Sequence, residues 1–218
     1  MGKRFFIFLL ISCIMTVGWV SPNSAQPWYF VKWVADGDTI FLQDGRRIRF
    51  IGINAPEVAH KGYPVEPFGD AAKSTLTKIV KHRRVRLEWD EVRRDRYGRH
   101  LAHVFDQKNR LLSQLMVVKG LAHVLYHKDN QRYFDVLLKS QKRAMQEKNG
   151  FWQVFQISMR NTHFVGSKRS LRFHDTNCPK IKKIYPKNKI YFTSAWSAFK
   201  QGYAPAKGCL KGIGIFIH

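Results

Sequence analysis

Acidic residues are scarce in this 218-residue chain, which has 15 Asp and Glu against 38 Lys and Arg and therefore a formal charge of +23. Three cysteines are too few for a small fold held together by many disulfides. No internal repeat or low-complexity tract is evident, which excludes collagen-like and repeat architectures. The chain does have 44% hydrophobic and 14% aromatic residues, enough for a packed core. The excess positive charge indicates a polyanionic partner, nucleic acid first and an anionic membrane surface second.

The first 25 residues have the pattern of a secretory signal peptide. Lys3 and Arg4 precede an apolar run over residues 5–20, and a stretch of small residues ends at Ala25. This pattern predicts a periplasmic or secreted protein with no stable membrane span once the segment has been removed. Two alternatives stay open: an uncleaved membrane anchor, and a lipoprotein with Cys13 as its lipidated residue.

Charge divides the remaining chain into two parts. Residues 26–155 have 24 Lys and Arg against 14 Asp and Glu (24 − 14 = +10), whereas residues 156–218 have 12 against the single acid Asp175 (12 − 1 = +11). The second part is shorter and much more basic. We therefore expect a larger domain over residues 26–155, a boundary within residues 156–162 and a small basic module over the remaining residues.

Hydrophobic periodicity in the larger part predicts an α+β fold. Alternation typical of strands covers residues 28–34, 39–43, 47–53, 85–90 and 100–105. Helical spacing covers residues 68–81, 111–119 and 133–148. Five short strands with about three helices are typical of a closed OB-type barrel against which the helices pack.

Three motifs carry residue types that suit phosphodiester chemistry. They are DGDT at residues 36–39, RFIGINAPE at 49–57 and DRYGR at 95–99. Each alone has a structural explanation, since an Asp-Gly pair usually forms a turn and a charged residue at a strand end usually faces solvent. Together they supply oxygen ligands for a hard cation, a carboxylate that can activate water, and cations for the phosphate oxygens. The residues concerned are Asp36, Asp38, Arg49, Glu57 and Arg99.

In the order and approximate spacing of these motifs, residues 29–152 resemble the staphylococcal nuclease (thermonuclease) family. The resemblance implies an OB-fold barrel and calcium-dependent cleavage of DNA and RNA that leaves 3′-phosphate ends. It also implies catalytic roles for three residues: Arg49 and Arg99 bind the phosphate, and Glu57 acts as general base or orients the water. Asp38 matches the main calcium-binding aspartate, and Asp36 lies near the metal.

The chain departs from the family's pattern at two positions. Asn54 stands where the family has a calcium-ligating aspartate, so the resemblance implies weaker calcium binding or acceptance of another hard cation. Tyr126 matches the tyrosine that caps the nucleotide, whereas Lys128 stands at the family's second tyrosine position. Tyr97 of the DRYGR motif is the other predicted substrate contact.

The basic segment resembles the small zinc-binding module of the Ada DNA-repair protein, which also occurs at the ends of several bacterial nucleases. His174, Cys178 and Cys209 match three of its ligands, while Ala206 stands at the fourth position. A zinc site would therefore need water or a distant residue such as His218 as its fourth ligand. The alternative is a disulfide between the two cysteines in a module that has lost its metal.

The sequence thus predicts an exported nuclease that depends on a metal ion, calcium by resemblance, and hydrolyses DNA and/or RNA. The basic module is expected to bind the nucleic-acid backbone. One alternative is a catalytically inactive nucleic-acid-binding protein, which the presence of Arg49, Glu57 and Arg99 disfavours. Another is a cationic protein that associates with anionic lipid or envelope polymer. His123 fits no ligand spacing, and we interpret it as an ordinary residue.

Overall fold

The computed structural model describes residues 26–59, 65–158 and 163–209, with the backbone alone for 156–158. Two predictions lie outside these residues, namely the signal peptide at residues 1–25 and His218 as a zinc ligand. None of the helices in the described ranges combines the length and hydrophobicity that a membrane crossing requires.

The larger part of the chain forms a barrel with helices packed against it. Its elements are β1 (Trp28–Asp36), β2 (Thr39–Leu42), β3 (Arg47–Phe50), β4 (Ile53–Asn54), α1 (Gly69–Val80), β5 (Arg84–Glu88), β6 (His100–Phe105), α2 (Leu112–Val118), β7 (His123–Val124), α3 (Phe134–Gln146) and α4 (Trp152–Ser158). Five strands close the barrel in the order β1-β2-β3-β6-β5. Neighbouring strands run antiparallel except β3 and β6, which are parallel. The predicted α+β class and five-stranded OB-type barrel are confirmed.

Apolar side chains that alternate along the strands fill the barrel, as period-two patterning requires. Ile40 and Leu42 of β2 and Ile48 of β3 are fully buried. Helix α1 packs against β1 and buries one apolar stripe, because its apolar residues recur at helical spacing. The buried residues of that stripe are Ala72, Leu76 and Val80.

The third strand ends sooner than its alternation predicts. Gly52 adopts a φ of +83°, a left-handed conformation that glycine accepts readily, and the barrel strand stops at Phe50. The chain then forms the short strand β4, in which Asn54 pairs with His123 of β7. This break takes Asn54 out of the barrel wall and places it at the candidate site.

The basic segment forms a small sheet with one α-helix. Its elements are β8 (Phe164–Ser167), β9 (Arg172–Asp175), two 3₁₀ turns (Pro179–Lys183 and Pro186–Asn188), β10 (Lys189–Phe192), α5 (Ala195–Lys200) and β11 (Ala204–Pro205). The strands lie in the order β10-β8-β9-β11. We call this described segment, residues 163–209, the basic module.

The basic module and helices α3 and α4 bury one aromatic core between them. Trp152 of α4 is fully buried, and its ring centroid lies 5.1 Å from that of Phe199 and 5.7 Å from that of Trp196. Phe173 of β9 packs edge-on against Phe199 at 5.3 Å. The division at residues 156–162 stays a prediction, but the two parts of the chain share a core.

Gln141 of α3 joins the two parts by hydrogen bonds. Its side-chain oxygen accepts the Val124 N–H of β7 at 2.7 Å, and its amide nitrogen donates to the Phe199 carbonyl of α5 at 2.6 Å. The side chain is completely buried, so water does not compete for either bond. Strand β7, beside the candidate site, is thereby fixed relative to the basic module.

Candidate active site

An open cleft of about 580 Å³ brings together six residues that the motifs single out. They are Asp36, Arg49, Asn54, Glu57, Tyr97 and Arg99. Positive charge prevails in the lining, which includes Arg47, Arg49, Arg96, Arg99, Arg172 and Lys207 with the acids Asp36, Glu57 and Glu66. A cationic cleft with a few carboxylates suits a polyanion that reacts beside a small acidic centre.

The turn between β1 and β2 fixes the two aspartates of the DGDT motif. The Asp36 carboxylate accepts the Asp38 N–H at 2.9 Å. The Asp38 carboxylate accepts the Thr39 hydroxyl at 3.0 Å and the Ala55 N–H at 2.7 Å. Gly37 is needed between them, because a Cβ there would lie 2.6 Å from that of Ala55. The turn is therefore packed tightly against the segment that carries Asn54.

Arg49 of β3 is an arginine held at three points. Its guanidinium pairs with the Asp38 carboxylate at 2.8 Å and donates to the Asn54 side-chain oxygen at 2.9 Å. It also donates to the Phe50 carbonyl at 3.2 Å. Only 8% of Arg49 is exposed. A planar guanidinium held in this way keeps one orientation, so the part that lines the cleft is preorganised.

The electrostatics of Asp38 suit an added cation. Burial raises the pKa of the Asp38 carboxyl well above its ordinary value; the charge of Arg49 opposes this shift, and that of Asp36 adds to it. The charge of Arg49 therefore does not offset the cost of burying the Asp38 carboxylate beside Asp36. Asp36, Asp38 and Asn54 all offer oxygen atoms, the donors that calcium and magnesium prefer. The residues present thus fit a hard divalent cation.

Backbone contacts hold Glu57 on both sides. Its N–H donates to the Glu66 carboxylate at 2.8 Å, and its carbonyl accepts the Glu66 N–H at 2.9 Å. Gly69 at the start of α1 packs so closely that a Cβ there would collide with the Glu57 carbonyl. Glu66, which no motif indicates, is 3% exposed and also lines the cleft. The start of α1 thus fixes the backbone from which the half-buried Glu57 side chain extends.

Arg99 is held by an aspartate of its own hairpin. Its Nε donates to the Asp95 carboxylate at 2.6 Å, and its backbone N–H donates to the same group at 3.0 Å. Asp95 also accepts the Tyr97 N–H at 2.9 Å, and Gly98 completes the turn with a φ of +76°. Since one edge of the guanidinium is bound, the rest of it is oriented for a ligand in the cleft.

The connection between β6 and α2 repeats this local geometry elsewhere. The Asp106 carboxylate accepts the Nε of Arg110 at 2.8 Å and its backbone N–H at 2.9 Å. This pair borders a different groove, on the side of residues 79–85. Arg110 therefore provides a matched comparison for Arg99.

The two predicted substrate tyrosines have different surroundings. Tyr97 lines the cleft, is 61% exposed, and has the Arg96 guanidinium 4.8 Å from its ring centroid. Tyr126 is half-buried, with its ring edge-on to Phe134 at 5.3 Å. Its backbone carbonyl accepts a hydrogen bond from Arg172 at 3.0 Å. A substrate contact for either tyrosine stays a prediction.

The cleft also includes residues that the motifs do not indicate. His123, interpreted as ordinary, is 2% exposed and lies in its wall. Burial first, and then the charges of Arg172 and Arg49, lower the pKa of His123 to about 3, so the ring is neutral near pH 7. Arg172 and Lys207 come from the basic module. No local pattern reveals these three, because non-local packing brings them to the cleft.

The three predicted zinc ligands lie together in the basic module. His174 Nδ1 is 3.3 Å from the Cys209 sulfur and 3.7 Å from the Cys178 sulfur, and the two cysteines form a disulfide. Zinc binds thiolates, so in this oxidised state His174 remains as the donor of the three. Ala206 packs in the same small cluster, at the position where the related module has its fourth ligand.

Known proteins match the barrel and its motifs. The family model described as "Staphylococcal nuclease homologue" matches residues 47–154. Thermonucleases of Staphylococcus intermedius and Staphylococcus hyicus are 36% and 34% identical over 128 and 133 residues. These alignments cover 57% and 60% of this chain and 76% and 78% of the relatives. Endonuclease YncB of Bacillus subtilis is 32% identical over 54% of this chain and 57% of its own length. With this similarity, and with a closed barrel that brings the three motifs to one cleft, the chain belongs to the staphylococcal nuclease homologue family.

Proposed function

We propose that this protein is an exported, calcium-dependent nuclease that hydrolyses phosphodiester bonds of DNA and/or RNA. The observation that carries the proposal is the meeting of Arg49, Arg99 and Glu57 in one cationic cleft, beside the oxygen donors Asp36 and Asp38. Relatives named thermonuclease and endonuclease support the same class of reaction.

In the proposed reaction, Arg49 and Arg99 donate N–H groups to the non-bridging oxygens of the phosphate. These oxygens gain negative charge in the five-coordinate transition state, so the hydrogen bonds from the two arginines are stronger there than in the bound substrate. The other partners of Arg49 and Arg99 already fix both guanidinium groups. Little orientation entropy is therefore lost when the substrate binds.

Glu57 would accept a proton from the attacking water, whose oxygen forms a bond to phosphorus. The bond from phosphorus to the 5′-oxygen breaks, and that oxygen leaves as a hydroxyl once it has gained a proton from solvent water. The products are a 3′-phosphate and a 5′-hydroxyl, as the family resemblance implies. Glu57 suits this role because it lines the cleft with both arginines and its backbone is fixed at two points.

Asp36, Asp38 and Asn54 would hold the calcium ion. When bound, calcium would offset the negative charge of the phosphate and polarise its oxygens. The amide of Asn54 offers an oxygen without a full charge, so this site should bind calcium more weakly than one with a third carboxylate.

The direct test measures cleavage of DNA and of RNA by the purified mature chain, with calcium and with excess chelator. We expect cleavage that requires calcium and stops when it is chelated. Binding of nucleic acid without cleavage, with either calcium or magnesium, would instead support the inactive nucleic-acid-binding protein.

Asn54→Asp is expected to lower the calcium concentration that gives half-maximal cleavage, because a carboxylate restores the missing negative charge. A calcium titration of the cleavage rate measures the effect. Gln107→Glu, on a surface loop outside the cleft, adds the same charge and should leave the titration unchanged. A curve for Asn54→Asp that stays in place or moves to higher calcium would contradict a metal role for this residue.

The proposal also includes export from the cell. The segment at residues 1–25 predicts it, and the disulfide between Cys178 and Cys209 suits an oxidising compartment. We expect the exported protein to have no free thiol at either cysteine and to retain no zinc after dialysis. Mass spectrometry after thiol labelling, with elemental analysis, measures both.

A substitution tests whether the position of Ala206 can complete a zinc site. After reduction, Ala206→Cys should bind zinc more tightly than the wild-type chain, because it adds a thiolate to His174, Cys178 and Cys209. Zinc near one equivalent in the untreated wild-type protein, with thiols that react only after chelation, would overturn the disulfide account.

A further inference from the structure

We infer that Arg172 and Lys207 of the basic module form a phosphate-binding subsite in the nuclease cleft, occupied by a neighbouring phosphate of the strand being cleaved. Both side chains line the cleft that contains Arg49 and Arg99. The inference rests on the proposed function and extends it, since it assigns the substrate contact of the basic module to two residues rather than to net charge.

Arg172 is a half-buried cation that neutral groups hold in place. Its Nη2 donates to the Tyr126 carbonyl at 3.0 Å, and its Nη1 lies 3.1 Å and 3.4 Å from the carbonyls of Ser170 and Leu171. Among the residues that the structure describes, no carboxylate lies within 4 Å of this guanidinium. Burial lowers the pKa of Arg172 to about 10, so it is still charged near pH 7. An unneutralised, oriented guanidinium in a cleft favours an anionic ligand.

The surroundings of Arg172 do not supply that anion. The nearby imidazole of His123 is neutral, because burial lowers its pKa and the charges of Arg172 and Arg49 add to that shift. Two positive charges thus act on the same small region of the cleft wall. Arg49 is already paired with the Asp38 carboxylate, whereas Arg172 has no such partner among the described residues, so a phosphate beside Arg172 would meet an uncompensated positive charge. Since Arg49 is assigned to the reacting phosphate, Arg172 suits the next one along the strand.

Lys207 is brought to the cleft by a loop fixed at both ends. On one side, β11 pairs in parallel with β9, which places Ala204 opposite Arg172. On the other side, Cys209 is bound to Cys178 by the disulfide. The Lys207 carbonyl also accepts the Lys180 ammonium at 2.7 Å. The exposed ammonium of Lys207 can therefore bind a phosphate without the entropic cost of ordering the loop.

The test measures binding of a short fluorescein-labelled single-stranded DNA to the full mature chain, with chelator present so that no cleavage occurs. Arg172→Gln should weaken binding about tenfold and make the dependence on salt shallower by about 0.7 in log–log slope, the value for one lost phosphate contact. Lys207→Gln should reduce the slope similarly, and because Lys207 is exposed this variant is safe for the fold. In cleavage assays with calcium, both substitutions should raise KM rather than lower kcat.

Two further variants control for charge and for structure. Arg169→Gln removes the same charge from an exposed residue of the same module and should leave affinity and slope close to wild type. Arg172→Lys keeps the charge and should restore the slope. The inference is overturned if Lys207→Gln or a folded Arg172→Gln behaves like Arg169→Gln. Weakened binding with the predicted slopes, in a chain that cleaves nothing, would support the subsite while refuting the proposed nuclease activity.

Discussion

Alanine at Arg49, Glu57 or Arg99 is expected to lower kcat by roughly 10²- to 10⁴-fold. The two arginines would contact oxygens that become more negative in the transition state, and Glu57 would remove the proton from water. Their loss therefore raises the barrier more than it weakens substrate binding. Single-turnover cleavage rates at saturating calcium measure the effect, with circular dichroism to verify the fold.

Arg110→Ala is the matched control for Arg99→Ala. It breaks the same kind of Asp–Arg pair in the same kind of turn, but it borders a different groove. Its cleavage rate should stay near that of the wild type. Arg49→Lys accompanies Arg49→Ala, since it keeps a charge beside the buried Asp38 while removing the planar donor fork. A folded variant at Arg49, Glu57 or Arg99 with the wild-type rate would remove that residue from the mechanism.

Phe199→Ala is expected to lower the free energy of unfolding of the whole chain by about 3–5 kcal/mol. The Phe199 ring is fully buried, with centroids 5.1 Å from Trp152 and 5.3 Å from His123. Removing it leaves a cavity where the basic module meets α4 and β7. Because this core belongs to both parts of the chain, they should unfold in one transition. Urea denaturation followed by tryptophan fluorescence measures the midpoint and the number of transitions.

Tyr191→Ala provides the comparison for Phe199→Ala. Tyr191 is an aromatic residue of the same module, but 72% of it is exposed, so its loss should change stability by no more than about 0.5 kcal/mol. If Phe199→Ala is as stable as Tyr191→Ala, the aromatic core does not join the two parts. Two separate transitions in the wild-type protein would lead to the same conclusion.

The sequence was sufficient to predict the barrel and the centre of the site because both depend on local patterns. Buried residues such as Ile40 and Ile48 recur with period two on neighbouring strands, and tight turns connect them. The DGDT and RFIGINAPE motifs come together because β2 and β3 pair directly, with Thr39 opposite Arg49. The DRYGR motif joins them because β6, which follows it, pairs with β3. Short-range pairing of this kind leaves a clear signal in the order of residues.

The contribution of the basic module to the cleft left no such signal. In the sequence, Arg172 and Lys207 are two cations among the twelve of residues 156–218, and charge predicts only that this segment binds backbone phosphate. Their position depends on how Phe199 packs against Phe173 and Trp152, which are contacts between residues far apart in the chain. Helix α4 was also missed: it has seven residues, as α2 has, but no glycine follows it in the way that Gly120 follows α2.

The buried amide of Gln141 limits which amino acids this position can tolerate. One end must accept the Val124 N–H and the other must donate to the Phe199 carbonyl. An ionised glutamate only accepts, methionine and leucine do neither well, and asparagine is one methylene shorter. The pair of hydrogen bonds that Gln141 makes between the barrel and its basic module thus depends on a side chain that no common conservative exchange can replace. A homologue that lacks glutamine at this position would have to hold its two parts together by the aromatic core without these two bonds.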